Sequence, residues 1–119
     1  MCDDPSDFDT TLRLCCDEHR RIVLATLASE RRALSLNDLT NEIVTHNHHE
    51  PITDVSGEAV THVYLSLYHE HVPLLVEASV IEYDRERRLV DPTEQFDRLE
   101  PFLSTILDAD PGLNFSEID

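Results

Sequence analysis

The stretch of sequence that decides the fold is SGEAVTHVYLSLYHEHVPLLVEASVIEYDRERRLV, residues 56–90. From Ser56 to His71, apolar residues recur at the three- and four-residue spacing of a helix. Pro73 lacks an amide proton and suits the first turn of another short helix, so we expect the chain to continue at a kink to Ala78. Beyond it, two short runs of β-forming residues flank a charged segment suited to a hairpin loop. This stretch predicts a helix that leads directly into a small β-hairpin.

The two sides of the predicted helix differ in chemistry, because residues three or four positions apart share one face. The inward stripe is predicted to contain Val60, Val63, Tyr64, Leu67, Tyr68 and His71. The outward face is predicted to contain Glu58, His62, Leu65, Ser66 and His69. Only the outward face is then available to a partner.

The rest of the chain predicts further helices around this unit. Upstream we expect a short helix capped by Thr10, a core helix over 18–28 capped by Asp17, a brief strand at 33–35, a helix over 36–46 capped by Ser35, and a loop over 46–56. The hairpin strands are predicted at 80–83 and 88–90, and Thr93 should cap a last helix that Pro101 kinks. The predicted divisions are a disordered acidic arm at 1–9, a main domain at 10–92, a C-terminal dimerisation helix at 93–108 and an acidic tail at 109–119.

The charge of the chain is strongly negative and uneven. All nine basic side chains are arginine, against 25 aspartates and glutamates, and the formal net charge is −16. A dense carboxylate surface stays hydrated in concentrated salt and repels itself in dilute salt, so the composition indicates a salt-loving host. Only residues 10–35 and 85–90 are net basic, so an anionic partner must meet one of these two segments.

Composition also excludes several classes of protein. The length suits one domain, no apolar run approaches the roughly 18 residues that span a bilayer, and the acidic start lacks the cationic region of a signal peptide, so we expect a cytoplasmic protein. Three cysteines, Cys2, Cys15 and Cys16, cannot form a paired framework and are expected to be reduced. Two glycines leave no phosphate-cradling loop, and no serine or cysteine has a nucleophile setting. We therefore predict no enzyme, no catalytic residue and no cofactor.

The order of the predicted elements is three helices, a two-stranded hairpin and a closing helix, which is the order of a winged helix-turn-helix domain. The fold class is thus mainly α with a small β-hairpin wing. The segments DEHRRIVL (17–24), LNDLTNEI (36–43) and LYHEHVPLLVEASVIEYD (67–84) resemble an uncharacterised winged-helix family of halophilic archaea, over roughly residues 10–90. The resemblance implies a small domain like those of transcription regulators, often dimeric.

The candidate contacts to double-stranded DNA are the arginines and the outward face of the predicted helix. They are Arg20, Arg21, Arg31, Arg32, Arg85, Arg87 and Arg88 for phosphates, and His62, Ser66 and His69 for the major groove. Two features weaken base reading, because the outward face offers no arginine, lysine, asparagine or glutamine, and Glu58 opposes phosphate. The alternative is that the arginines pair with nearby acids such as Glu18, Glu30 and Glu86 on a solvated surface.

A metal site built from histidines is conceivable but poorly spaced. His46, His48 and His49 cluster in the predicted loop, and His69 and His71 end the helix, with Cys2, Cys15 and Cys16 as further ligands. Positions 69 and 71 project to opposite sides of a helix, and the loop histidines lack the i, i+4 pairing. We expect no metal, and a buried His71 that donates to a backbone carbonyl and fixes the kink.

The last helix predicts a homodimer. Its apolar residues, together with two from the first helix, exceed what one terminal helix hides on so small a domain, although the helix could also pack wholly on its own chain. The candidate interface is Leu12, Leu14, Phe96, Leu99, Phe102, Leu103, Ile106 and Leu107.

Two functions follow as hypotheses. The first is a homodimeric winged-helix transcription regulator that binds DNA, with its two wings on one face about 34 Å apart, the spacing of successive major grooves. The alternative is a non-catalytic protein-protein interaction module that kept the fold, lost DNA binding and contacts a protein partner through the acidic helix face. Neither hypothesis involves a membrane.

Overall fold

The computed structural model describes residues 5–48 and 56–110. Its elements, in chain order, are α1 Pro5–Leu14, α2 Glu18–Glu30, β1 Leu34–Ser35, α3 Leu36–His48, α4 Gly57–Ser66, a π-helical turn Leu67–His71, α5 Val72–Glu77, β2 Ile81–Asp84, β3 Leu89–Pro92 and α6 Glu94–Asp108. The described chain is thus mainly helical with one small antiparallel sheet, as the sequence predicted. None of its helices is both long and apolar enough to cross a membrane.

Helix α2 lies at the centre of the core. Asp17 caps it as predicted, because one carboxylate oxygen accepts hydrogen bonds from the amides of His19 at 2.8 Å and Arg20 at 3.4 Å. Its residues from Ile22 to Leu27 are all buried, which fits a stripe too wide for a surface helix. The helix ends at Arg31, which adopts a left-handed conformation with φ of 54° and returns its amide to the carbonyl of Leu27.

The sheet has the strand order β1-β3-β2, and both strand pairs are antiparallel. Val90 of β3 lies between Leu34 of β1 and Tyr83 of β2. Both hairpin strands run about one residue later than predicted, but the hairpin itself is confirmed. Its turn, residues 85–88, closes because the Asp84 carboxylate accepts the amides of the second and third turn residues at 3.0 and 3.2 Å.

The helix before the hairpin changes its winding where the sequence predicted a kink. Ser56 caps α4 by accepting a 3.2 Å hydrogen bond from the amide of Ala59, a cap that the sequence analysis did not name. The widened π-turn then precedes Pro73, and the amide of Val72 bonds to the carbonyl of Leu67, five residues back. A proline ring crowds the carbonyl four residues before it and donates no hydrogen bond, so an extra residue in the preceding turn accommodates it.

The N-terminal boundary needs correction. Helix α1 begins at Pro5, so the prediction of a disordered arm over residues 1–9 is wrong for residues 5–9, while residues 1–4 lie outside the described residues. The Phe8 ring packs edge-on against Phe102 with centroids 5.6 Å apart, and Asp7 pairs with Arg98 at 3.2 Å. Both contacts tie α1 to α6, and the acidic composition of the segment concealed this apolar face.

The other boundaries shift little. Helix α3, capped by Ser35, runs two residues beyond its predicted end, and most of the predicted loop over 46–56 lies outside the described residues. Thr93 caps α6 through the amide of Phe96 at 3.4 Å. Helix α6 continues through Pro101 as a single element, and the hydroxyl of Thr105 donates to the Pro101 carbonyl at 3.2 Å.

Candidate functional site

The hairpin turn carries three exposed arginines at the edge of the molecule. Arg87 is weakly held, because its Nε lies 3.9 Å from an Asp84 oxygen and its side chain is 77% exposed. Arg88 has φ of 57°, and its Nη1 donates to the Tyr64 hydroxyl at 3.4 Å. Arg85 makes no hydrogen bond or ion pair with the described part of the chain. Arg85 and Arg87 are therefore exposed and weakly held, whereas Arg88 contacts α4 through Tyr64.

Most other arginines of this acidic chain are occupied. Carboxylate partners within 4.0 Å are found for Arg21, Arg31, Arg32, Arg87 and Arg98. Across residues 5–48 and 56–110, no such partner is found for Arg13, Arg20, Arg85 and Arg88. Of these four, Arg13, Arg85 and Arg88 are exposed, and two of them, Arg85 and Arg88, lie on the same hairpin turn.

Arg20 and Arg21, at the start of α2, make structural contacts, which corrects the prediction that they bind phosphate. Arg20 is only 8% exposed, and its Nε donates to the carbonyl of Leu14 at 2.9 Å while Nη1 donates to Nδ1 of His71 at 3.2 Å. Arg21 donates to the carbonyl of Cys15 at 2.7 Å and to Asp110 at 2.8 Å. The carbonyls at the end of a helix have no partner within it, and these two guanidinium groups satisfy those that follow α1. Arg20 is therefore unavailable to DNA, and Arg21 is already occupied.

Arg31 and Arg32 remain exposed but paired. Arg31 bonds Glu100 at 2.6 Å and Arg32 lies 3.4 Å from Glu30, the acid that the alternative interpretation named. Surface pairs of this kind contribute only about 0–1 kcal/mol, so both side chains can still exchange partners. Their predicted phosphate contacts stay predictions.

The outward face of α4 is placed as expected. His62, Leu65 and His69 are exposed, and Glu58 is exposed in the first turn, whereas Ser66 is half-buried. On the inward side Tyr68 departs from the prediction, because it lies at the edge of the stripe and is 39% exposed.

Sequence reasoning missed two amide side chains that share a groove with α4. Asn37 and Asn41 of α3 line a shallow hollow together with Thr61 and Tyr64. Their four-residue spacing on one helical face was a visible signal, but which face meets α4 depends on the packing of the two helices. Asparagine is a side chain that can hydrogen-bond the edge of adenine.

Sequence reasoning also missed the convergence of all three tyrosines of the chain. Tyr68 and Tyr83 pack edge-on with ring centroids 6.4 Å apart, and Tyr64 joins them through Arg88. Burial raises the pKa of Tyr83, and the neighbouring tyrosines raise it further. The i, i+4 pair on the helix was readable in the sequence, whereas the third ring comes from the hairpin.

His71 belongs to a buried polar cluster beneath the π-turn. The prediction that it donates to a backbone carbonyl is wrong, because its Nδ1 accepts from Arg20 and its Nε2 lies 3.8 Å from Asp17. Burial lowers the pKa of His71, with Asp17 and Glu70 opposing the shift, so the ring is neutral at neutral pH. Burial alone would raise the pKa of Asp17. The positive charge of His71 when it is protonated, and the hydrogen bonds from the amides of His19 and Arg20, lower it instead.

This cluster has the composition of a metal site but not its hydrogen bonding. One ligand atom from each of Asp17, His19 and His71 lies within 4.8 Å of the others. A metal-binding imidazole ordinarily donates its second nitrogen to an acceptor, whereas here Arg20 donates to Nδ1 and keeps the proton on Nε2. A metal ion bound at Nε2 would shift the ring proton to Nδ1. There it would face the guanidinium of Arg20, which is unfavourable.

The histidines and cysteines proposed as further ligands do not join this cluster where they are described. His46 lies on α3, 3.7 Å from Glu42, while His49 and Cys2 lie outside the described residues. Cys15 is buried, which raises its pKa to about 11, and Cys16 donates its thiol to the Leu12 carbonyl at 3.4 Å.

With this geometry in place, comparison with protein families gives one result. The family model of a domain of unknown function, DUF7344, matches residues 12–91. The chain belongs to this family. No curated protein and no solved structure matches it. The DUF7344 segment includes α2, α3, α4, the three tyrosines and nearly all of the hairpin, and α6 lies outside it.

The candidate dimer residues lie largely inside a single chain. Leu14, the last residue of α1, is buried in the core. Four residues of α6 are buried in the same chain: Phe96, Leu99, Leu103 and Leu107. The expectation that these residues need a second chain to cover them is therefore wrong. An exposed apolar edge does remain, formed by Leu12 at 43% and Phe8 at 44% exposure with the partly exposed Phe102 and Ile106.

Proposed function

We propose that this protein is a DNA-binding transcriptional regulator of the winged-helix type in a halophilic cytoplasm, with no catalytic step. The succession α2, β1, α3, α4, β2 and β3, with β1 completing the hairpin sheet, supports a winged helix-turn-helix. The observation that carries the proposal is the pair Arg85 and Arg88, exposed on the hairpin turn with no carboxylate within 4.0 Å among the described residues.

In this proposal the wing supplies affinity and α4 supplies a modest preference for sequence. Arg85 and Arg88 contact phosphates, and His62 and His69 face the major groove. Histidine discriminates bases less sharply than a bidentate arginine, and Glu58 repels phosphate at the start of α4. We therefore expect weak discrimination between operators, with Asn37 as a further candidate for base contact.

The homodimer is kept in the proposal on narrower grounds. The exposed edge of Phe8 and Leu12 on α1 is the surface best suited to a second copy. A Leu12→Ser variant should sediment as a monomer while the wild type sediments as a dimer. A monomeric wild type at high protein concentration would remove the dimer and leave DNA binding to be judged separately.

A second candidate function is supported by the outward face of α4. Leu65 is 46% exposed and, with Gly57, Glu58, Thr61 and His62, lines an apolar hollow. An exposed leucine beside an acid, on a face without a lysine or arginine, is a poor match for a phosphate backbone and leaves apolar surface for a protein partner. A non-catalytic interaction module is the alternative that this surface favours.

Two arginines in the same backbone conformation provide a matched test. Arg88 and Arg31 both have positive φ, and asparagine tolerates that conformation, so Arg88→Asn and Arg31→Asn each remove one charge without adding strain. Binding to a labelled pool of genomic duplexes is measured by fluorescence anisotropy over a series of potassium chloride concentrations. We expect Arg88→Asn to weaken binding equally for all duplexes and to lower the salt slope by about one.

The outcomes separate the two candidate functions. Arg31→Asn should weaken binding less than Arg88→Asn does, because Glu100 already holds the Arg31 guanidinium and competes with phosphate for it. Equal losses in both variants would mean that only overall charge matters, which contradicts a wing site. A wild-type protein that retains no duplex at any salt concentration rejects the DNA-binding proposal.

A further inference from the structure

The tyrosine–arginine cluster, comprising Tyr64, Tyr68, Tyr83, Arg85 and Arg88, joins the helix to the wing. Tyr64 is at the end of α4, Tyr68 is in the π-turn and Tyr83 is in β2. Tyr68 and Tyr83 meet edge-on at 6.4 Å with an interplanar angle of 67°. The seam between the two candidate DNA-contacting elements is therefore aromatic and basic.

Hydrogen bonding in the cluster leaves donors without acceptors. A guanidinium can only donate, so the 3.4 Å bond from Arg88 makes the Tyr64 oxygen an acceptor and leaves its own proton free to donate. Neither Tyr68 nor Tyr83 has a hydroxyl hydrogen bond to the part of the chain that the structure describes. The cluster thus presents three hydroxyl donors and the Arg85 guanidinium outward.

The acids of the hairpin face the other way. Side chains alternate across a strand, so Glu82 and Asp84 of β2 lie on the opposite face of the sheet from Tyr83. Asp91 of β3 is the register partner of Glu82 and shares that acidic face. An anion approaching the sheet of the wing is repelled by the acids on this face, whereas Tyr83 lies on the other.

We propose that the tyrosine–arginine cluster binds a phosphate of the DNA backbone, with the tyrosine hydroxyls as neutral donors beside Arg85 and Arg88. This inference rests on the proposed function and assigns a second kind of contact to it. Tyr64 and Tyr83 are half-buried, and the rings of Tyr68 and Tyr83 pack edge to face, which covers part of the ring surface that a base would stack on. The cluster therefore suits phosphate oxygens rather than stacked bases.

Neutral donors have a particular value in concentrated salt. Arginine contacts gain affinity by releasing counterions from the duplex, and this gain vanishes as the salt concentration rises. A hydroxyl donating to phosphate releases no counterion, so its contribution persists in molar potassium chloride. An acidic protein with few cations can thereby hold DNA where electrostatic contacts fail.

The test compares loss of a hydroxyl with loss of a charge. Tyr64→Phe combined with Tyr83→Phe keeps both rings and removes two donors, and Arg88→Asn removes a charge at the same seam. For the double tyrosine variant we expect duplex affinity to fall about tenfold at every salt concentration, with an unchanged slope of log affinity against log salt. For Arg88→Asn we expect a slope lower by about one. Circular dichroism melts of each variant confirm that the fold is kept.

Each outcome decides between the inference and the function beneath it. Wild-type affinity in the double tyrosine variant, with duplex binding still lost in Arg88→Asn, overturns the hydroxyl contact and leaves the DNA-binding proposal standing. No duplex binding by the wild type overturns both. Tighter binding of single strands than of duplex would show base stacking and also reject the phosphate site. Binding of inorganic phosphate that the same variants abolish, in a wild-type protein that binds no duplex, would assign the cluster to a free anion and reject DNA as the ligand.

Discussion

Two segments of this chain have the same small excess of positive charge, and the fold uses them differently. In the first, over residues 10–35, Arg20 is buried and Arg21 satisfies a carbonyl at the end of α1. In the second, over residues 85–90, the arginines lie on an exposed turn, and two of them lack a carboxylate partner. A basic segment in an acidic protein therefore has two distinct uses, to close the interior or to meet an anion, and charge counts do not separate them.

The largest effect should come from the buried member of the first segment. Replacing Arg20 with methionine keeps much of its volume but leaves the Leu14 carbonyl and His71 Nδ1 without a donor. Unsatisfied buried groups of this kind cost about 1–3 kcal/mol each, so we expect a loss of about 3 kcal/mol in the free energy of unfolding. Urea titration in molar potassium chloride measures it. A loss below about 1 kcal/mol would contradict a closing role for this arginine.

A smaller effect should appear as pH dependence in the same cluster. Burial lowers the pKa of His71 below 6.5, so the unfolded chain binds a proton that the folded ring refuses. The free energy of unfolding is therefore unaffected by His71 above the pKa of the unfolded chain. It falls as the pH drops from about 6.5 to the lowered pKa of the folded state. Asp17, whose pKa is also lowered, adds a second loss only below 3.8.

The measurement is urea unfolding at about pH 7.5 and about pH 5.5 in molar salt, which screens the other carboxylates. His71→Gln keeps an acceptor for Arg20 and removes the titrating ring, so its unfolding free energy should change less between the two pH values. An equal drop in both proteins would assign the effect to other groups.

The smallest effect on stability should come from the wing. Arg85→Gln removes an exposed charge with no hydrogen bond to the described chain, so the free energy of unfolding should change by no more than about 0.5 kcal/mol. A change as large as that of Arg20→Met would mean that both basic segments are structural. The comparison between them would then fail.

Much of the fold could be predicted because its signals are local. The caps at Asp17, Ser35 and Thr93 each depend on a side chain two or three residues from the amide that it satisfies. The hairpin was predicted from its alternating strands and charged turn. Helix α2 was placed in the core because its apolar stripe leaves no room for solvent.

The remaining features depend on contacts distant in sequence. Arg20 hydrogen-bonds His71, 51 positions away, and Tyr83 of the hairpin packs against Tyr68 of the π-turn. Predicting the burial of α6 requires knowing which elements cover it. The sequence does not give this, so the contact of α6 with its own chain was interpreted as a dimer surface. The family match over residues 12–91 coincides with the segment where resemblance had been noted, and it adds no function.

The carboxylates of Glu82 and Asp91, opposed across the hairpin, set a condition on the wing. Like charges directly opposite in a sheet repel, and potassium ions relieve that repulsion by screening. The same ions weaken the grip of Arg85 and Arg88 on phosphate. The linear decline of log affinity with log salt should therefore begin only above the potassium chloride concentration at which this repulsion is screened and the hairpin is fully formed.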